Sequence, residues 1–199
     1  MKPWKLLGAG VLAASTLAFS IPNAVAADVT MRVAHLNPDD PFQSHSGAMT
    51  AVFKSLVESA SNGAIEVQLF ANGQLGKDNE VIDQVSAGIV ESTISSSGGV
   101  AQSYPPVGVF DIPFALPNIG IASRVISKES SFGKRLIDDV QAKTGMKVLG
   151  LLDSGGFFAI SNSKRPIKTV ADMEGLRIRT MTLPTHEAII SSLGGKPTP

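Results

Sequence analysis

The sequence contains no cysteine. This excludes disulfide bonds, iron–sulfur clusters, thiolate zinc sites, thiol nucleophiles and lipid attachment through an N-terminal cysteine. The 17 basic and 17 acidic side chains leave no net charge, so a basic surface for nucleic acid is not expected. Hydrophobic residues make up 43% of the 199 positions, which is enough for a good hydrophobic core and argues against disorder.

Residues 1–26 have the order of a cleavable signal peptide. Lys2 and Lys5 precede an apolar run, and a small-residue triplet follows at positions 24–26. The run is shorter than the roughly 20 apolar residues that a membrane anchor needs. We therefore expect cleavage before Ala27. An exported chain without cysteine or a lipid anchor fits free diffusion in a bacterial periplasm.

Strand and helix patterns alternate along residues 27–152, which we expect to form a first α/β lobe. Apolar residues at every second position predict strands at 29–33 and 65–69, and three- and four-residue spacing predicts a helix over 49–60. Strands separated by helices form mostly parallel sheets, so the fold class predicted is α/β. Further helices are predicted at 78–85, 118–126 and 131–142, and further strands at 92–95 and 146–151.

A second α/β lobe is expected to start within residues 153–199. The pattern there predicts a short helix at 170–173, a strand around Ile178 and a helix that Thr182 caps. The chain stops at the beginning of another strand, which would leave a parallel sheet with an open edge. We therefore expect the sequence to be part of a longer protein, and residues 27–199 alone not to close on a ligand.

Several short motifs suggest chemistry that their surroundings do not support. Residues 153–156, Asp-Ser-Gly-Gly, resemble a protease nucleophile loop, but the usual flanking Gly and Pro are absent. His35, His45 and His186 match no local metal-ligand spacing. We therefore expect no catalytic residue, no metal and no cofactor.

Arg179 stands near the end of a predicted strand and three residues before the predicted helix cap at Thr182. A guanidinium and the free N–H groups of a helix N-terminus would meet there, which suits a carboxylate ligand. Alternatively, Arg177 and Arg179 share one solvated strand face and only keep the surface soluble. The pattern alone leaves both interpretations open.

Four segments together resemble the solute-binding subunits of tripartite ATP-independent periplasmic (TRAP) transporters. They are FANGQLGKDNEVIDQVSAGIVEST, GVFDIPFALPN, SNSKRPIKTVADMEGLRIRTM and the terminal LGGKPTP. The match runs in order from Val29 to Pro199. The resemblance implies a periplasmic-binding-protein-like, two-lobed Venus-flytrap fold, present here as an incomplete N-terminal part. It also implies capture of an organic-acid anion and delivery of that carboxylate to a TRAP permease in the membrane.

The resemblance also implies ligand-binding residues. In GLRIRTM the arginine that holds the ligand carboxylate in this family corresponds to Arg179. Thr182 fits a polar position near the helix start that often contacts ligand. Ser96 and Ser97 fall where the first lobe presents polar groups to the cleft, and Asn37 follows the first strand at the same level.

The segment around Phe158 departs from the family pattern. Many members that bind dicarboxylates or sugar acids have a second arginine in a GFR-x-x-TNSKRP segment, and Phe158 occupies that position here. One arginine and an aromatic wall suit a monocarboxylate with an apolar body, such as an aromatic or branched 2-oxo acid. A second buried carboxylate without a counter-charge would be costly. Alternatively, Phe158 points into the core and another residue supplies a second charge.

Two other classes of protein stay open beside transport. An exported hydrolase would need a nucleophile, a base and oxyanion donors, and the Ser and His residues show no motif for them. A ligand-sensing ectodomain of a receptor could share the same binding lobes.

Overall fold

The computed structural model describes residues 27–181 and 183–198. The predicted signal peptide, residues 1–26, lies outside the described residues and stays a prediction. The helices are α1 His45–Ala60, α2 Asp78–Ser86, α3 Ser97–Ser103, α4 Ile119–Ile126, α5 Ser131–Thr144 and α6 Pro184–Ser192, with 3-10 helices at Pro105–Asp111 and Val170–Met173. The strands are β1 Val29–Ala34, β2 Ile65–Phe70, β3 Ser92–Thr93, β4 Arg177–Arg179 and β5 Lys196–Thr198.

The first sheet has the strand order β2-β1-β3, and all its pairs are parallel. Val29 lies opposite Ile65 and Ala34 opposite Phe70, so β1 and β2 are in register over their whole length. Helix α1 connects these two strands, as parallel pairing requires. The carboxyl ends of all three strands therefore meet at one edge of the sheet.

Helix α1 ends where a residue with positive φ is needed. Asn62 has φ 51° and Gly63 has φ 81°, and the Gly63 N–H donates to the Glu58 carbonyl. Gly and Asn adopt the left-handed conformation at little cost, and it commonly closes a helix. The chain can then turn directly into β2 at Ile65.

Ten buried apolar side chains form two clusters, and others, Val33, Val67 and Ile82 among them, are buried in β1, β2 and α2. The second consists of Met173, Leu176, Ile178 and Ile190 and lies around the β4–β5 sheet. Leu183 belongs to the first, so the loop before α6 packs against α3 and α5. The division into lobes at residue 152 stays a prediction. The packing of Leu183 joins the residues before that position to those after it. The members of the first cluster are Ala101, Tyr104, Val107, Leu136, Val140 and Leu183.

Two predictions of local structure are wrong. Residues 146–151 form no strand, although Val148 and Leu151 pack against the first cluster, because no strand among the described residues pairs with them. Helix α6 begins at Pro184, with Leu183 and not Thr182 at the cap position. Proline fixes its own φ and needs no donor at the first helical position, so it sets this start.

A bidentate ion pair ties β1 to the chain just before β3. The Arg32 guanidinium donates to both Glu91 carboxylate oxygens at 2.9 and 2.6 Å, and the Arg32 backbone N–H donates to the same group at 2.8 Å. These bonds from Arg32 lower the pKa of Glu91 to about 2. The pair therefore reinforces the short pairing between β1 and the two-residue strand β3.

Replacing Glu91 by Gln should destabilise the full-length protein by about 1 kcal/mol at pH 7, the upper end for a partly exposed pair. Because the folded-state pKa of Glu91 lies below the unfolded value, its contribution is complete above about pH 4.3 and is lost as the pH falls toward 2. Thermal unfolding of wild type and Glu91→Gln should therefore converge at about pH 2 and below. Glu66→Gln on β2 is the matched control, because the Glu66 carboxylate accepts a hydrogen bond from Gln68 of the same strand. A constant difference at all pH values would contradict this account.

Candidate functional site

Asn37 links the end of β1 to the start of α1. Its side-chain Nδ2 donates to Ser46 Oγ at 2.8 Å and lies 3.3 Å from His45 Nε2. Ser44 caps α1 by accepting the Gly47 N–H at 3.1 Å. The predicted ligand residue Asn37 is therefore held in place by α1 at the carboxyl edge of the first sheet, which is where open α/β sheets bind ligands.

His35, directly after β1, is buried with only 3% of its surface exposed. Neither ring nitrogen has a hydrogen-bond partner among the described residues. Burial lowers the pKa of His35 most and the neighbouring His45 lowers it further, whereas Asp39 and the backbone at Asn37 raise it in part. The neutral imidazole is therefore the form that fits this core.

The stability of the protein should fall as His35 is forced to protonate. Because the pKa of His35 is lowered in the folded state, the contribution of neutral His35 to the free energy of unfolding is complete above the unfolded-state pKa of about 6.5. It is lost as the pH falls below that value. His35→Leu should therefore reduce the loss of thermal stability between pH 7.5 and pH 5. Differential scanning calorimetry of ligand-free protein at both pH values measures this. An unchanged pH dependence in His35→Leu would assign the acid sensitivity to other groups.

Ser96 caps helix α3, and its hydroxyl group is fully engaged. It accepts the Gly99 N–H at 3.1 Å and donates to Asp78 Oδ2 at 2.7 Å. The Ser96 backbone N–H lies 3.4 Å from the same carboxylate oxygen. Ser96 therefore contributes to the site by positioning the start of α3.

Ser97 belongs to a polar cluster that joins distant parts of the chain. Its hydroxyl donates to Asp111 Oδ1 at 3.2 Å, and His186 Nε2 lies 3.1 Å from the same oxygen. The Asp111 side chain is 1% exposed and that of His186 13% exposed. The other Asp111 oxygen is buried without a partner among the described residues. Ser97 and His186 are thus the groups that compensate this buried carboxylate.

Phe158 lies on the outer side of this cluster. Its ring meets the His186 ring edge-to-face, with centroids 5.5 Å apart and an interplanar angle of 78°. Phe158 itself is 73% exposed. Among the described residues the Phe158 ring therefore lies at the surface against His186 and not in the core, and the expectation that another residue supplies a second charge stays a prediction.

The start of α3 approaches the loop before α6 closely. A Cβ atom added at Gly98 would lie 2.7 Å from Met181 Sδ and 3.0 Å from a Leu183 methyl carbon. These two residues flank Thr182, which lies outside the described residues. We call the region where Ser97, Gly98, Asp111, Phe158 and His186 meet this loop the α3–α6 junction.

Arg179 is the last residue of β4, and Thr198 of β5 lies opposite it. Arg177 and Arg179 are both exposed and Ile178 between them is buried, so the two arginines share one strand face. Among the described residues, Arg179 has no acidic partner. Helix α6 begins five residues later, and its first turn has no side-chain cap.

Sequence reasoning missed two residues of the junction, Asp111 and His186. They are 75 positions apart, so no local spacing connects them. The DSGG motif forms an ordinary turn in which Asp153 accepts the Gly156 N–H at 3.0 Å. The part of the chain that the structure describes contains no cluster of three metal-ligating side chains and no helix suited to cross a membrane.

The described residues form an α/β fold with polar groups gathered at strand ends and at the starts of helices, which is where open α/β sheets bind ligands. The particular family follows from comparison. Residues 35–199 match the family described as bacterial extracellular solute-binding protein, family 7, and the chain belongs to it.

Three similar proteins have a named ligand or function. The C4-dicarboxylate-binding periplasmic protein DctP of Rhodobacter capsulatus is 32% identical over 200 residues, which cover 97% of this chain and 56% of that protein. A TRAP periplasmic solute-binding protein from Bordetella bronchispeptica, whose ligand density is interpreted as pantoate, is 35% identical with a TM-score of 0.79 and covers 86% and 55% of the two chains. The sugar acid binding protein DctPAm from Advenella mimigardefordensis, in complex with galactonate, is 32% identical with a TM-score of 0.78 and covers 85% and 53%.

The resemblance to TRAP solute-binding proteins and the α/β fold of that kind are confirmed by these comparisons. The chain spans about half the length of the relatives that it matches.

Proposed function

We propose that this protein is an extracytoplasmic solute-binding subunit that captures an organic-acid anion and delivers it to a TRAP-type permease. The arrangement of Arg179 before the uncapped start of α6 is the observation that supports this best. The family consists of solute-binding transport proteins, so the proposed activity is capture and release rather than chemical turnover.

The location and the membrane partner are part of the same proposal. Residues 1–26 would direct export and be removed before Ala27, leaving the protein in the periplasm. The permease subunits are inferred from the family alone. A division into lobes at residues 27–152 and 153–199 would place the junction where the two lobes meet around the ligand.

Arg179 is proposed to hold the ligand carboxylate. A guanidinium binds a carboxylate through two parallel N–H···O bonds, and the start of α6, which has no side-chain cap, can add N–H donors, with Glu187 in its first turn offsetting part of the helix dipole. Thr182 is proposed to contact the same anion. Ser97 and Asn37 are proposed to face the ligand from the first sheet and α3.

Arg179→Ala in the full-length protein should weaken binding of the ligand carboxylate by about 30-fold or more. Removing one partner of a desolvated, charge-assisted pair typically costs about 2–5 kcal/mol, because the other charge is left unpaired. Arg179→Lys should restore affinity only in part, since it keeps the charge but loses the planar fork. Isothermal titration calorimetry with a panel of organic acids measures the change.

Arg177→Ala is the matched control, because Arg177 lies on the same strand face but two residues farther from α6 in the chain. It should bind almost normally. Equal losses in the two variants, or no loss in Arg179→Ala, would return Arg179 to the role of a solvated surface residue.

Phe158 is proposed to select the body of the ligand. An exposed aromatic ring in place of an arginine offers an apolar wall and no second positive charge. This favours a monocarboxylate with an apolar or branched body. The similar Bordetella protein, with its density interpreted as pantoate, supports this class of ligand, whereas the Rhodobacter relative is named for C4-dicarboxylates.

Phe158→Arg should shift selectivity toward dicarboxylates, because it introduces the counter-charge that a second carboxylate needs. We expect wild type to bind 4-methyl-2-oxopentanoate more tightly than succinate, and the variant to reduce or reverse that ratio. Calorimetry with both acids gives the two affinities. A wild type that prefers succinate would show that another residue supplies the second charge.

A further inference from the structure

The contacts at the junction form one continuous path from α3 to Phe158. Ser97 donates to Asp111, Asp111 pairs with His186, and His186 meets the Phe158 ring. The first and last members are residues that sequence analysis placed at the ligand site. The two in between were assigned no role.

Asp111 fixes the orientation of the His186 ring. A buried carboxylate is costly unless donors compensate it, and one of its oxygens already lacks a partner among the described residues. If His186 Nε2 turned away from Asp111, Ser97 would be the one remaining side-chain donor to that carboxylate among the described residues. The hydrogen bond that Asp111 needs therefore fixes the Nε2 end of the imidazole.

The other side of His186 holds Phe158. Within the described part of the chain residues 152–160 are all exposed, so few packing contacts from this part fix the segment. The edge-to-face contact with the imidazole is the aromatic contact of Phe158 within the described residues. Such pairs contribute beyond their buried area because the ring edge of one partner meets the electron-rich face of the other.

We infer that His186, held by Asp111, is a positioning residue that sets where the Phe158 ring stands and thereby determines ligand specificity. This inference rests on the proposed function. His186 is not assigned a contact with the ligand, and it acts through Phe158. The ligand class concerned is the monocarboxylate whose apolar body meets that ring.

A double-mutant cycle in the full-length protein tests the inference. His186→Gln keeps a side-chain N–H that can donate to Asp111 but removes the aromatic ring, so the fold should be retained. With Phe158 present, His186→Gln should weaken binding of 4-methyl-2-oxopentanoate by about two- to tenfold, the value of one aromatic pair. In a Phe158→Ala background, the same change should have no further effect.

The selectivity ratio separates positioning from a general structural role. His186→Gln should lower the affinity for 4-methyl-2-oxopentanoate relative to that for succinate, whereas simple destabilisation would lower both alike. Phe132→Leu is the matched control, because it removes another edge-to-face pair, Phe110 with Phe132 at 6.1 Å. It should lower the thermal stability and leave the ratio unchanged.

Two outcomes would overturn the inference while leaving the proposed function intact. These are an equal effect of His186→Gln with and without Phe158, and no effect in either background, while Arg179→Ala still weakens binding by about 30-fold or more. Failure of the wild type to bind any organic acid would overturn the proposed function and this inference together. Loss of affinity only when Phe158 is present, with a changed ratio, supports the inference.

Discussion

The buried carboxylate of Asp111 is the constraint on which the candidate site depends. It lies at the end of the 3-10 helix, where water cannot solvate it, so protein donors must replace that water. Ser97 from α3 and His186 from α6 meet this requirement. Two helices distant in sequence are therefore brought to one point by the solvation of a single charge. Leu183, in the loop before α6, packs in the apolar cluster with Ala101 of α3 and Leu136 of α5.

Local patterns predicted most of the elements because neighbouring residues determine them. The helix predicted from Asp78 and the strand around Val67 appear where alternation and three- to four-residue spacing placed them. Residues 146–151 show the limit of this reasoning. Their alternation is real, but a strand exists only when another backbone pairs with it, and no such partner lies among the described residues. The start of α6 was misplaced because Pro184 outweighed the capping preference of Thr182.

The candidate site could be predicted only where a motif or a resemblance identified its residues. Arg179 and Phe158 stand out within short segments, and the structure places one at a strand end and the other on the surface. Asp111 and His186 have no such signal, because their relation is a contact across 75 positions. A buried Asp between apolar neighbours in GVFDIPF is the one hint that the sequence offers, since an acidic residue in such a run requires a partner.

The cap at the start of α3 has a consequence for how charge is divided within the site. Asp78 lies in the first turn of α2, and its carboxylate also accepts the hydroxyl proton of Ser96 at the start of α3. One anion of the protein itself thus neutralises the positive ends of two helices. A foreign anion gains little attraction there, so α2 and α3 can offer it shape and hydroxyl groups but not a field. The positive charge that attracts a solute anion is therefore expected from the exposed Arg179 at the end of β4, rather than from the starts of α2 and α3.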